Sequence, residues 1–178
     1  MNDTSNRRDK IVLPSNGSSD PGGSVMFIGT ATLLIRYAGL TVLTDPNFVH
    51  RDEKVDIGYG LTATRLTDPA MDIGDLPPID LIILSHLHGD HFDQVAEREL
   101  DKSLPIVTTG EAAKALTERG FTNVHPLERW DELSVEKGDA RLRITATPGR
   151  HGPPVVSVAL PDVIGTILEF GTGTADSG

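Results

Sequence analysis

The stretch SHLHGDHF, Ser85–Phe92, sets three of the chain's six histidines and one aspartate within a few positions, directly after the apolar run Leu81-Ile82-Ile83-Leu84. From Ile79 to Leu84 the chain is apolar except for Asp80, the pattern of a strand buried on both sides of a sheet. His86 to His91 are therefore expected at the C-terminal end of a central strand. In an extended segment, side chains two apart point the same way, so His86 and His88 can approach one ion from a single side. Asp90 and His91 then turn toward a neighbouring position, and the spacing suits two adjacent metals.

A catalytic dication needs at least three protein ligands beside an open position for water, and the cluster supplies two for the first ion. The best third candidate is His151 in TPGRHGPP, which follows an expected strand, sits among Gly and Pro residues and has no apolar periodicity of its own. Three imidazoles suit zinc, which lowers the pKa of water from 15.7 to about 7 and so offers a nucleophile at neutral pH. Manganese or iron suits the same nitrogen and oxygen donors. Asp90, beside the ligands, is the candidate for moving the proton. Ligand imidazoles need an acceptor on their other nitrogen, and Asp45, closing the strand TVLTD, is the candidate for that role. Which imidazole it serves is open, and a plain turn residue before Pro46 is the competing reading.

Outward from the motif the chain has the size of one domain, at 178 residues. Residues 1–23, rich in Asn, Ser, Asp, Gly and Pro, are expected to form a flexible leader. Strands at Val25–Ile28, Thr32–Tyr37 and Thr41–Thr44 predict an antiparallel meander, with Ala38-Gly39 as a turn. About thirty residues of mixed character follow before Pro77-Pro78, far longer than the usual connection of 4 to 6. Phe92–Leu100 is expected as a helix and Pro105–Thr108 as a second buried strand. A second helix, Glu111–Arg119, has Thr109 as N-cap and Gly120 as stop. Strands return around Val124 and at Glu132–Val135, Arg141–Thr147, Val155–Leu160 and Ile164–Phe170. A disordered tail or truncated hairpin is expected at 171–178.

Composition excludes several functions. The net charge of -10 offers no basic face for nucleic acid. The absence of cysteine removes disulfides and thiolate metal sites together. A polar N-terminus without an apolar core predicts a cytoplasmic protein with no membrane span. His50 and His125 have no partner motif and are expected as surface or structural residues. Arg51, Tyr59 and Arg65, in the long connection, are expected as solvated side chains, with an anionic substrate group as the sharper alternative. Trp130 is expected to anchor the core or an edge.

SHLHGDHFD after the strand IDLIIL resembles the signature loop of the metallo-β-lactamase superfamily. FIGTATLLIRYAGLTVLTDP is similar to the opening meander of its lactonase-like and phospholipase-like hydrolases. The resemblance covers about Val25 to Phe170. It implies an α/β (α+β) fold, an αββα sandwich in which residues 24–170 form the N-terminal part of the domain. It further implies that His86, His88 and His151 hold a first metal, that Asp90 and His91 belong to a second, and that the activity is hydrolysis of an ester, lactone or phosphodiester. The substrate is then a small molecule. The family pattern continues into a further strand ending in Gly-Asp, whose aspartate bridges the metals, and then to a final histidine. No such strand precedes Asp176, so the chain resembles a C-terminally truncated domain. Two readings follow: a metal-dependent hydrolase, or a catalytically silent metal-binding fragment that needs a partner or the missing C-terminal half to complete the site.

Overall fold

The run of apolar residues before the motif becomes the middle of a six-stranded sheet, and the order of strands around it decides where the motif ends up. The structure is a computed structural model that describes residues 8–15, 22–57, 60–149 and 162–173. The strands β2 (Ser24–Gly29), β3 (Thr32–Tyr37) and β4 (Leu40–Thr44) form the expected antiparallel meander. β4 then pairs in parallel with β7 (Leu81–Ile83), which carries on to β8 (Ile106–Thr108) and β9 (Val124–Pro126), all parallel. Parallel neighbours need crossovers, and helices α1 (Gln94–Glu99) and α2 (Gly110–Glu118) supply those from β7 to β8 and from β8 to β9.

Among the described residues the second sheet has four strands, in the order β1 (Arg8–Leu13), β10 (Glu132–Lys137), β11 (Ala140–Pro148) and β12 (Ile164–Thr172). β1 runs parallel to β10, and the other pairs are antiparallel. Alternation along β10 and β11 sends Leu133, Val135, Leu142, Ile144 and Ala146 inward, where they pack on Val42, Leu81, Ile83 and Val107 of the first sheet. A second core lies on the other face of that sheet, where Leu43, Ile82, Leu84 and Ile106 meet Phe92, Ala96, Leu116 and Phe121 from the helical side. Full burial of each such Leu or Ile is worth about 1.5–3 kcal/mol. The result is an α/β sandwich whose helices, among the described residues, lie on one face. The outward face of β10, β11 and β12 is polar, with Lys10–Glu136 and Arg143–Glu169 ion pairs at 2.8 and 2.7 Å.

Four expectations are corrected. Residues 8–13, assigned to a flexible leader, form β1, because its backbone finds partners on β10 although, of the side chains at 9–13, only Ile11 is buried. The long connection after Asp45 contains a hairpin, β5 (Lys54–Asp56) with β6 (Thr62–Thr64), and a short 3-10 turn at Ile73–Asp75. Trp130 is 52% exposed and has a left-handed backbone, φ 71°. Its amide bonds the Ala146 carbonyl at 2.7 Å, so it is a turn residue that faces water instead of a packed anchor. The tail assignment starts too early, since β12 runs to Thr172. The strand expected at Val155–Leu160 and the residues His151, Tyr59 and Asp176 lie outside the described residues.

Candidate functional site

β4 is antiparallel to one neighbour and parallel to the other, so its carboxyl end opens beside that of β7 at a change of strand direction. Crevices of this kind outside the carboxyl ends of parallel strands are where α/β sheets collect ligands. Asp45 follows β4 and Ser85 follows β7, and the Asp45 amide bonds the Ile83 carbonyl at 3.0 Å. Asp45 is held in a left-handed conformation, φ 37°, which swings its carboxylate across to the motif.

The carboxylate divides its two oxygens. Oδ1 accepts from the Ser85 amide at 2.8 Å and from the Ser85 hydroxyl at 2.9 Å. Oδ2 lies 3.4 Å from His91 Nδ1. The Ser85 oxygen is also 3.0 Å from His86 Nδ1 and 3.3 Å from His91 Nδ1. Asp45 and Ser85 together thus face the Nδ1 atoms of two imidazoles, which leaves each Nε2 to the other side of its ring. The ring centroids of His86 and His88 are 4.8 Å apart and those of His86 and His91 are 4.2 Å apart. Two imidazoles on one tetrahedral ion at about 2.1 Å have centroids roughly 5 Å apart, and the His86–His88 spacing is of that order.

His86 is buried, at 3% exposure, while His88, Asp90 and His91 are partly open. Asp90 Oδ2 is 3.9 Å from His91 Nε2, and its Oδ1 is buried with no hydrogen-bond partner among the described residues. An orphaned carboxylate oxygen beside imidazoles is an acceptor suited to a cation. Burial pushes the His91 imidazole toward neutrality, but the hydrogen bond to Asp45 and the charges of Asp45 and Asp90 outweigh it, and its pKa lies above the ordinary histidine value. The donor types therefore fit a dication. Among the described residues, however, no three His, Asp or Glu side chains converge closely enough to hold one, and His151 lies outside them.

The surrounding structure fixes the loop. Gly89 donates its amide to the Asp56 carbonyl of β5 at 2.9 Å, and a Cβ there would sit 2.2 Å from that oxygen. Only glycine admits so close a backbone approach. Asp93, directly after the motif, caps α1 by accepting from Ala96 at 2.8 Å and also accepts the amides of Phe48 and Val49. A cleft of about 270 Å³ beside His88 is lined by Asp56, Phe92, Gln94, Glu97 and Arg119. The amide of Ile164, at the start of β12, bonds the Ser85 carbonyl at 3.2 Å, and Ile164 is paired with Pro148 at the end of β11.

His50 lies away from the motif, between Asp68 and Asp72 at 3.3 and 3.1 Å, and His125 bonds Asn123 at 2.8 Å. Arg51 is exposed, whereas Arg65 is bound into the fold by Thr30, Asn47 and Thr67. Sequence reasoning did not assign Ser85, Asn47 or Asp93. Ser85 stands inside the motif and Asn47 just after Asp45-Pro46, but a lone hydroxyl or amide carries no spacing signal.

The chain is similar to several known proteins. The profile of the beta-lactamase superfamily domain matches residues 41–175. A mitochondrial N-acyl-phosphatidylethanolamine-hydrolyzing phospholipase D of Saccharomyces cerevisiae is 33% identical over 80% of the chain and 31% of its own length. A metal-dependent hydrolase of Staphylococcus carnosus is 29% identical over 65% of the chain and 44% of its own length. The crystal structure of an isothiocyanate hydrolase from Delia radicum gut bacteria superimposes with a TM-score of 0.67 at 26% identity, covering 83% of this chain and 58% of that one. The chain thus spans 31% and 44% of the length of these two curated relatives. No helix among the described residues is long and apolar enough to cross a membrane.

Proposed function

Since the chain belongs to the beta-lactamase superfamily, we propose that it is the metal-binding part of a metal-dependent hydrolase acting on an ester, lactone or phosphodiester. The observation that carries this reading is the convergence of Asp45 and Ser85 on the Nδ1 atoms of His86 and His91 at the carboxyl ends of β4 and β7. Second nitrogens fixed in this way are what metal-ligating imidazoles require. In this proposal His86, His88 and His151 would hold a first ion, with Asp90 and His91 turned to a second. Zinc is the first choice, and manganese or iron suits the same donors. When bound, such an ion supplies Lewis acidity to a water and to the scissile group.

The chain's own residues would do the rest. Asp45 holds the His91 ring by its Nδ1, and Ser85 does the same for His86. Asp90, with one oxygen buried and without a hydrogen-bond partner among the described residues, would take and return the proton of the attacking water. His151 would come from the 149–163 connection, whose described ends lie beside the motif through the bond from Ile164 to Ser85. From Pro148 it is three residues away, a reach of about 10 Å.

A second reading has an observation of its own. Val25 and Phe27, on the β2 face that looks toward the other sheet, are 67% and 63% exposed. That favours a chain needing a partner, or the remainder of a domain, before it can act.

Elemental analysis of the folded chain and of its His151→Ala variant tests the site, with circular dichroism as the check on folding. About one zinc, manganese or iron per chain, lost in the variant, supports three-histidine coordination. A folded wild-type chain without metal overturns the reading for this polypeptide. Assays with lactones, esters and N-acyl-phosphatidylethanolamine, a phosphodiester named for its yeast relative, then separate a hydrolase from a silent fragment.

A further inference from the structure

The loop carrying His88 and Asp90 is gripped from the side by hydrogen bonds that begin on the β5–β6 hairpin. Arg65, just after β6, directs Nη1 to Thr30 Oγ1 and to Asn47 Oδ1, the latter at 2.7 Å, and its Nε to the Thr67 carbonyl at 3.0 Å. A Cβ at Gly29 would fall 2.3 Å from Nη2, so the guanidinium fills the space that glycine leaves open. Asn47 is 1% exposed, and its Nδ2 donates to the Gly89 carbonyl at 2.8 Å. Its own amide donates to Thr32 Oγ1 at 3.0 Å, and that hydroxyl donates to the Asp45 carbonyl at 2.6 Å. One buried amide is therefore joined to both halves of the candidate site.

The orientation of the Asn47 side chain follows from its partners. A guanidinium has only donors and a carbonyl only accepts, so Oδ1 must face Arg65 and Nδ2 must face Gly89. The cation strengthens its side of the arrangement. Without it, nothing at that end would distinguish the oxygen of the amide from its nitrogen.

We propose that Arg65 and Asn47 are positioning residues that fix the Gly89 peptide, and through it the directions in which His88 and Asp90 present their side chains. The proposal rests on the reading of those side chains as metal ligands. Arg65 acts through Asn47: its Nη1 and Nε are taken by Thr30, Asn47 and Thr67, and its Nη2 is buried with no hydrogen-bond partner among the described residues. The grip is completed from the other side by the Gly89 amide, bonded to Asp56 at 2.9 Å.

The variants Asn47→Asp and Arg65→Lys test this in the full chain. Asn47→Asp keeps an acceptor for Arg65 and turns the donor to Gly89 into an acceptor. Arg65→Lys leaves Asn47 in place with one donor to hold it. The first readout is amide hydrogen exchange on the metal-free chain, at Gly89, His91 and Phe92, whose amides bond the carbonyls of Asp56 and His88. These amides should exchange at least about tenfold faster in Asn47→Asp, with β10 and β11 unchanged, and by less in Arg65→Lys. The second readout is titration with Co²⁺, whose affinity should fall about 10- to 100-fold in Asn47→Asp, with a changed visible spectrum.

Unchanged exchange at the three amides in a folded Asn47→Asp overturns the proposal, whatever the metal does. Faster exchange everywhere, β10 and β11 included, also overturns it, because Asn47 would then be holding the fold and not the loop. If Asn47→Asp does not fold, Arg65→Lys carries the same comparison. Failure of the wild-type chain to bind Co²⁺ overturns the metal-site reading by itself, while local exchange confined to the three amides would still establish the grip.

Discussion

At position 45 one carboxylate serves a serine and a histidine at once, and its charge sets how that histidine titrates. In the metal-free chain His91 has its pKa raised despite burial, because Asp45 and Asp90 favour the imidazolium. A raised folded-state pKa gives stability that is fully present below the unfolded value of about 6.5 and is lost as pH rises through the folded value. Asp45→Asn can keep an acceptor for Ser85 but removes the charge. The His91 titration followed by NMR should then move to lower pH, and the extra acid-side stability should shrink. A titration that stays where it was would show that Asp45 is not the cause. At Gly89 the constraint is steric. Gly89→Ala places a methyl against the Asp56 carbonyl and should cost about 1–3 kcal/mol in urea unfolding, because backbone on both sides has to move.

Among the elements, α1 has only six residues, too few to be stable alone, and depends on its start. Asp93 caps it and also binds the amides of Phe48 and Val49, so a single buried carboxylate joins the helix to the chain leaving β4. Asp93→Ala should lower stability by about 2–4 kcal/mol, since it strips a cap and leaves two buried amides unpaired. Thr109→Ala, which removes only the cap of α2, should cost about 1 kcal/mol in the same measurement. Equal costs would mean that the bonds to Phe48 and Val49 contribute nothing. Elements of this kind were legible in unequal measure. The meander, β7, β8 and α2 were readable because their apolar residues sit at the strand or helix period and their ends carry turn and cap residues. β1 was not, because a polar edge strand held mainly by backbone bonds to a partner more than a hundred residues away leaves no periodic trace. β5 and β6 are three residues each, too short to alternate. In the site, His86, His88, Asp90 and His91 stood out by residue type and spacing, and Asp45 by its place at the end of β4, while His151 lies outside the described residues. Ser85, Asn47 and Arg65 gain their roles from loops that meet only in three dimensions, and no local pattern announces that.

On the scale of the molecule, the two sheets differ in width among the described residues, six strands against four. Tyr37 of β3 meets Phe170 of β12 with ring centroids 5.4 Å apart, so the edge of the narrow sheet lies over β3 and β2 extends beyond it. Val25 and Phe27 pair with Ile35 and Leu33 on the face that looks toward the narrow sheet, yet they remain uncovered. An open strand edge next to exposed apolar side chains promotes association. The double variant Val25→Lys, Phe27→Glu should reduce concentration-dependent light scattering of this chain while changing its unfolding free energy by less than about 0.5 kcal/mol per site. A large loss of stability would instead place those side chains in the folding core.

The left-handed backbone at Asp45 has a consequence for how this protein can be improved. That conformation costs an ordinary side chain about 1–2 kcal/mol, and glycine or asparagine meets it more cheaply. Thermostability selection without a metal requirement would therefore drift toward asparagine at this position, which can still satisfy Ser85, and would discard the charge unnoticed. Libraries built on this scaffold should hold position 45 fixed or be scored on metal retention as well as heat resistance, because here the two pressures reward different residues.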